Sequence, residues 1–268
     1  MYLDDHDKVI YIADYDNARI VEWAPNARNG RVIAGGYGPG HATNQLYHPT
    51  DVIVDRDSDS VIVADRDNRR VMRWPRQRNP HGQILISDID CSCLAMHKDG
   101  SLFISDWKKN EVKRWSKGEI HGTIVAGGQG RGDHLNQLNY PTHLFVDDNH
   151  DLYISDRDNH RVMKWPKDAK EGMIVAGGND KGNRAAQLFC PQGVIVDQFS
   201  QIYVVDGGNN RVTRWHQGAR EGTIVIDGNC SRQRAKQLQS PIGLSLDDEE
   251  NLYVADWGNH RIQKFDID

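Results

Sequence analysis

The segment "LYISDRDNHRVMKW" (152–165) decides the fold, because the chain writes it six times. The other copies are "IYIADYDNARIVEW" (10–23), "VIVADRDNRRVMRW" (61–74), "LFISDWKKNEVKRW" (102–115), "IYVVDGGNNRVTRW" (202–215) and "LYVADWGNHRIQKF" (252–265). They align without gaps on Asp14, Asp65, Asp106, Asp156, Asp206 and Asp256. The intervals are 51, 41, 50, 50 and 50 residues, so one unit is about fifty residues long.

Each unit reads as short strands. A β-branched run comes first, as in "DVIVD" (51–55), "HLFVD" (143–147), "GVIVD" (193–197) and "GLSLD" (243–247). An acidic turn, an alternating strand, an Asp-x-x-Asn turn and a strand closing on Trp or Phe follow. Four units continue into "RVIAGG", "TIVAGG", "MIVAGG" or "TIVIDG". No stretch shows sustained helical periodicity. Four strands per unit, repeated six times, predict an all-β six-bladed propeller of antiparallel blades over 1–268, read as a single domain. The chain opens on an innermost strand, Tyr2-Leu3-Asp4, and stops at "FDID". The last blade is therefore expected to lack its outermost strand, meeting the first through side-chain packing.

Asp at i, Asn at i+3 and Arg at i+5 recur in five units, and unit three replaces the last two with Lys109 and Glu111. Asn tolerates left-handed turns and Asp accepts backbone or guanidinium donors, so the set is expected to organise the turn. Its repetition points to structure rather than catalysis. Five of the seven tryptophans sit at i+9, where they are expected to fill space between blades.

The pattern "YVADWGNHRIQKF" (253–265), preceded by "SPIGLSLD" (240–247), resembles the NHL repeat. The resemblance covers essentially the whole chain and implies a six-bladed propeller. It leaves function open, since such rings occur in regulators that bind RNA or proteins, in receptor-kinase sensor domains and in a peptide-amidating lyase. The lyase holds its metal with histidines that follow a proline at the start of innermost strands. The matching positions here are Thr50, Thr142, Gln192 and Ile242, with Ser92 in the unit lacking the proline. None is histidine, and His143 and Asp51, one place later, make a poor metal site by themselves. No cofactor, metal ligand or catalytic residue is therefore expected. A lactonase-like channel cation would need acidic residues from several blades, and most carboxylates here are repeated turn residues.

Other motifs reduce to the repeat. "DRDSDS" (55–60) alternates carboxylates like a calcium loop but lacks its glycine and distant glutamate. "AGGQGRGD" (126–133) suggests a phosphate loop and contains Arg131-Gly132-Asp133, yet "AGGYGPGH" (34–41), "AGGNDKGN" (176–183) and "IDGNCSRQ" (226–233) repeat its frame. A phosphate loop precedes a helix, whereas this one is expected to join blades. Asn229-Cys230-Ser231 is a weak glycosylation sequon. Cys91 and Cys93 are expected on opposite faces of one strand and unpaired with each other; whether Cys190 and Cys230 bridge is left open.

A net charge of -5 argues against a strong field for nucleic acid. No apolar run reaches the ~20 residues of a spanning helix, so no membrane insertion is expected. The first residues lack the basic-then-apolar pattern of a signal peptide. Recognition of a protein or peptide partner by a monomeric ring is the leading reading. Its candidate residues lie where loops break the repeat: Tyr37, Tyr47, His48, His134, Tyr140, His143 and Phe189. RNA binding is the second reading, through a basic patch of Arg66, Arg69, Arg73, Arg76, Arg78, Lys108 and Lys109. A channel-sited metal-dependent lyase or lactonase-like enzyme is the third.

Overall fold

The computed structural model describes residues 1–4, 6–77, 80–228 and 237–267. Strands β1 (Tyr2–Asp4), β2 (Val9–Asp14), β3 (Arg19–Trp23) and β4 (Arg31–Gly35) form the first blade. The second holds β5 (Pro49–Asp55), β6 (Ser60–Asp65), β7 (Arg70–Pro75) and β8 (Gln83–Ser87). The third holds β9 (Cys91–Met96), β10 (Leu102–Asp106), β11 (Glu111–Trp115) and β12 (Thr123–Gly127). The fourth holds β13 (Pro141–Val146), β14 (Leu152–Asp156), β15 (Arg161–Trp165) and β16 (Met173–Gly177). The fifth holds β17 (Pro191–Val196), β18 (Ile202–Asp206), β19 (Arg211–Trp215) and β20 (Thr223–Asp227). The sixth has three strands among the described residues: β21 (Pro241–Leu246), β22 (Leu252–Asp256) and β23 (Arg261–Phe265). All pairs within the blades are antiparallel, giving the expected six-bladed ring.

The second blade's outer strand, β8, has no Ala-Gly-Gly ending, and the repeat pattern does not reveal it. Its register against β7 matches the outer strands elsewhere, with Val71 opposite Ile86 as Val162 is opposite Ala176.

Packing explains the closing aromatic. Trp74, from the second blade, is buried among Tyr11, Ile20, Ala34 and Leu46 of the first blade and its connector. Trp165 packs on the third blade, Trp215 on the fourth and Phe265 on the fifth. Each aromatic thus covers the blade before it. Trp23 would face the sixth blade, which has no outer strand among the described residues, and is 40% exposed against 0% for Trp74. Its neighbours Ile10, Ile12 and Val21 are only half-buried for the same reason.

Cys91 and Cys93 both sit on β9, where regular alternation would put them on one face. A bulge opposite Ile104–Asp106 intervenes. Cys91 therefore packs toward the second blade and Cys93 toward the fourth. They are unpaired, as expected, but the bulge is the reason. Cys230 and the sequon around it lie outside the described residues.

The connectors owe their course to the repeated Asp, Asn and Arg. In the fourth blade Asp156 Oδ2 accepts Arg161 Nε at 2.7 Å and Asn159 Nδ2 at 2.8 Å. Its Oδ1 accepts the Asn139 backbone N–H at 2.6 Å. Arg161 then donates to the carbonyls of Asp133, His134 and Gln137, at 2.7, 3.1 and 3.1 Å. The set holds not only its own turn but the loop arriving from the previous blade. Arg70 and Arg211 do the same for "HATNQ" and "NRAAQ".

The tripeptide Arg131-Gly132-Asp133 belongs to this seam: the Gly132 and Asp133 carbonyls are held by Asn159 and Arg161. In the fourth blade the conformation where the connector leaves the outer strand calls for glycine. Gly177 has φ +68°, and an added Cβ would lie 2.5 Å from the His160 carbonyl oxygen. Gly177→Ala should cost about 1–3 kcal/mol, read as a lower urea midpoint. A midpoint equal to wild type would show that the loop can absorb the side chain.

Candidate functional site

Strand order places the Asp-x-x-Asn turns and the ends of the connectors together on one face, here the upper face. The inner hairpin turns and the outer turns lie on the lower face. Two sets of residues ring the upper mouth. One follows the repeat aspartate directly: Tyr15, Arg66, Trp107, Arg157, Gly207 and Trp257. The other precedes the innermost strand: His48, Asp90, Tyr140, Cys190 and Ser240.

Four of the second set, His48, Tyr140, Cys190 and Ser240, have φ between 48° and 59°. Each stands before a proline, in a left-handed region that side chains rarely adopt. The preceding blade helps hold three of them, with His160 Nδ1 3.3 Å from the Cys190 N–H. Asn110 Oδ1 accepts the Tyr140 N–H at 2.9 Å, and Asn210 Oδ1 accepts that of Ser240 at 2.8 Å. These strained positions fix the connector ends facing the mouth.

Side chains gather on one half of that mouth. Arg66 Nη2 donates to the Tyr140 hydroxyl at 2.9 Å, and its guanidinium lies 4.8 Å from the Trp107 ring centre. Trp107 and Tyr140 rings are 4.9 Å apart, and Arg157 lies 5.1 Å from the Tyr140 ring. Beside them Tyr15 stacks on His48 at 4.2 Å, and Tyr47 lies 4.5 Å from the same imidazole. His48 Nδ1 meets Asp67 at 2.6 Å. At the fifth blade Gly207 and Gly208 follow the aspartate, and the Phe189 ring covers Gly208, where a Cβ would meet it at 2.5 Å. The mouth is therefore lopsided, with its arginine–aromatic cluster on blades one to four and a lower rim on blade five. Quadrupole faces with a cation beside them suit a carboxylate, a peptide group or another aromatic ring.

Of the seven loop candidates, Tyr47, His48, Tyr140 and Phe189 lie at or beside this mouth. Tyr37 and His134 lie on the exposed outer course of the connectors, where their carbonyls accept Gln45 and Arg161. His143 sits in the channel on β13. Its Nδ1 accepts the Val194 N–H at 3.4 Å, linking the fourth blade to the fifth. The same place around the ring is Asp51, which accepts the Leu94 N–H at 2.9 Å, and Cys93, whose sulfur faces the Leu144 N–H at 3.3 Å. Burial pushes the His143 imidazole down to about 4, against a weaker upward pull from Asp51. It is a neutral link between blades.

The basic residues do not form one patch. Arg69 pairs with Asp88 and Asp90, Lys108 with Asp90, and Lys109 stands 4.0 Å from Asp106, all at the upper turns. Arg73 pairs with Asp55 and Arg76 with Asp7 and Asp59, on the opposite side of the second blade. Arg66 belongs to the mouth, and Arg78 lies outside the described residues. Trp107, Tyr15, Arg157 and Trp257 were not among the sequence candidates. One signal marks them: the residue after the repeat aspartate varies within an otherwise constant motif. A surface depression of about 430 Å³, lined by Val175, Asn179, Trp215 and Arg220, lies on the outer edge of the ring. It shares no residue with the mouth.

Comparison with known proteins agrees with the fold. The family model described as NHL repeat matches residues 238–265, which contain the sixth segment. No curated protein matches the sequence. Among solved structures, an auxiliary nutrient binding protein from Bacteroides thetaiotaomicron VPI-5482 superposes with a TM-score of 0.74 at 16% identity. The match covers 97% of this chain and 66% of that one. A chain of a nidogen/laminin complex gives 0.71 at 18% identity, covering 97% and 89%. An auxiliary nutrient binding protein from Bacteroides ovatus ATCC 8483 gives 0.72 at 13%, covering 98% and 67%. At these identities the likeness is one of fold. The chain is a six-bladed β-propeller whose sixth unit matches the NHL repeat model.

Proposed function

We propose that this ring is a non-catalytic recognition scaffold that binds a protein or peptide partner through its upper mouth. The observation that carries the reading is the cluster of Arg66, Trp107, Tyr140 and Arg157 with Tyr15 and His48 beside it. These residues fall where the repeats disagree: Tyr15, Arg66 and Arg157 on turns held by the repeated Asp and Asn, Trp107 on the Asp106 turn, and His48 and Tyr140 on connector ends. A preformed aromatic and arginine surface loses little conformational entropy on binding, and such residues dominate binding hot spots. The solved propellers of similar fold include auxiliary nutrient binding proteins and a chain of a nidogen/laminin complex, which accords with a role in binding.

The test is affinity capture from a lysate of the source organism, comparing wild type with the double variant Trp107→Ala/Tyr140→Ala. Both side chains are partly exposed, so the variant should unfold at nearly the wild-type midpoint. Its affinity for the captured protein should fall roughly 100-fold or more. Undiminished capture would move the site off the mouth. Capture of RNA with steep salt dependence, lost on reversing Arg66 and Arg69, would replace this reading with the nucleic-acid one.

A further inference from the structure

The lower face carries one break in the repeat that the upper mouth does not explain. The inner hairpin turn of a blade begins with a side chain that caps its own turn. In blades two, four, five and six that residue is Asp55, Asp147, Asp197 or Asp247. Asp147 Oδ1 accepts the backbone N–H groups of Asn149 and Asp151, both at 2.9 Å. Blade three has His97 instead, with its Nδ1 facing the Asp99 N–H at 3.3 Å. Across the seam, His150 takes the left-handed position of the next turn, with φ 66°. Blades five and six put Ser200 and Glu250 there. Among the described residues, only the seam between blades three and four brings two imidazoles to one carboxylate.

The geometry is close. Asp99 Oδ1 lies 3.0 Å from His97 Nδ1, and Asp99 Oδ2 lies 2.9 Å from His150 Nε2. Ring centres are 3.6 Å apart, and the three groups offer ligand atoms within 4.8 Å of one another. At such distances a carboxylate oxygen and an imidazole nitrogen share either a hydrogen bond or a metal ion. Ligands with bonds of about 2.1 Å stand about 3.4 Å apart in a tetrahedron, so the two separations need to open by only a few tenths of an ångström to admit zinc. His97 Nε2 is buried, with no partner among the described residues, so Nδ1 is the nitrogen facing Asp99, and an ion bound there would displace the 3.3 Å contact from the Asp99 N–H. Asp99 is about half exposed, so the site is open to solvent. Two imidazoles and one carboxylate with open positions are a donor set for first-row divalent ions, and they offer too few oxygens for calcium.

We propose that His97, Asp99 and His150 bind a divalent first-row transition ion of the zinc class, tying the lower turns of blades three and four. The test uses the whole protein without a histidine tag, stripped with a chelator and dialysed against Zn²⁺. One equivalent should bind, and melting temperature should rise by roughly 3–8 °C at a hundredfold excess over Kd. His150→Ser installs the residue that blade five tolerates at the same backbone position, so the metal-free variant should melt with wild type. It should bind Zn²⁺ roughly 100-fold more weakly, as should Asp99→Asn, while His143→Gln in the channel should bind like wild type. No stoichiometric zinc in wild type would overturn the site in favour of a proton-bridged His-Asp-His contact. Zinc binding unchanged by His150→Ser and Asp99→Asn would place the ion elsewhere and overturn it equally.

Discussion

Arg161→Met should lower stability by about 3–5 kcal/mol, whereas Arg19→Met, at the same place in the repeat, should cost less than about 1 kcal/mol. The two arginines make the same 2.7 Å bond to the repeat aspartate, Asp156 or Asp14. Their surroundings differ. The Arg161 side chain is 5% exposed and donates to three connector carbonyls, and its aspartate is fully buried. Removing it leaves a buried carboxylate without its cation and three carbonyls without their donor. Among the described residues Arg19 donates to no connector carbonyl, and it is 40% exposed, where solvent can reach the guanidinium. Methionine keeps the aliphatic stem, so the comparison isolates the charge and its donors. Urea midpoints of the two variants decide it. Equal losses would mean that the repeat motif acts within its own turn and does not fasten the connector.

The third blade gives the same argument in natural form. The connector reaching it is short, "SDIDC" (87–91), and offers no carbonyls like those around Arg161. The arginine is gone too, replaced by Glu111, which pairs with Lys113. One oxygen of Asp106 is left buried with no hydrogen-bond partner among the described residues, and burial raises its carboxyl above the usual range. Loss of the arginine beside the short connector accords with its second task of holding the connector, although the first blade keeps Arg19 with no connector carbonyl to hold.

Such coupling shows what a single sequence can reveal. Blade number, strand order and the three-stranded sixth blade were legible, because one pattern of Asp, Asn, Arg and Trp repeats in register. The exposure of Trp23 was not, since the motif is intact there and only the neighbouring blade differs. The mouth was half legible. His48 and Tyr140 stood out as irregular loop residues, but Trp107 and Arg157 sit inside the motif and were read as part of it. Spacing alone could not show that turns from adjacent blades bring Arg66, Trp107 and Tyr140 together. The arginines of 66–76 failed as a patch for the converse reason: consecutive in sequence, they follow a turn and then a strand running away from it.

His143 offers the sharpest test of the channel. Folded, its imidazole is pushed down to about 4, while an unfolded chain titrates near 6.5. Between those values the unfolded state binds a proton that the folded state refuses. Stability should therefore be fully present above about pH 6.5 and fall as pH drops toward 4, levelling off below. The full loss from this one group is about 3 kcal/mol, at close to 1.4 kcal/mol per pH unit in mid-window. Charged groups nearby pull in opposite directions: Asp51 favours the imidazolium and the Met1 amino group opposes it, both less strongly than burial. Protonating Nδ1 would also turn it from acceptor to donor and break the link to the Val194 N–H, joining the titration to the seam between blades four and five. In His143→Gln the amide oxygen can accept the same N–H but takes no proton in this range. Denaturation measured from pH 7 to 4 should show wild type losing about 3 kcal/mol more than the variant. Parallel losses would mean that water reaches the imidazole through the channel and solvates its charged form, which would make the centre of the ring a wet and accessible cavity.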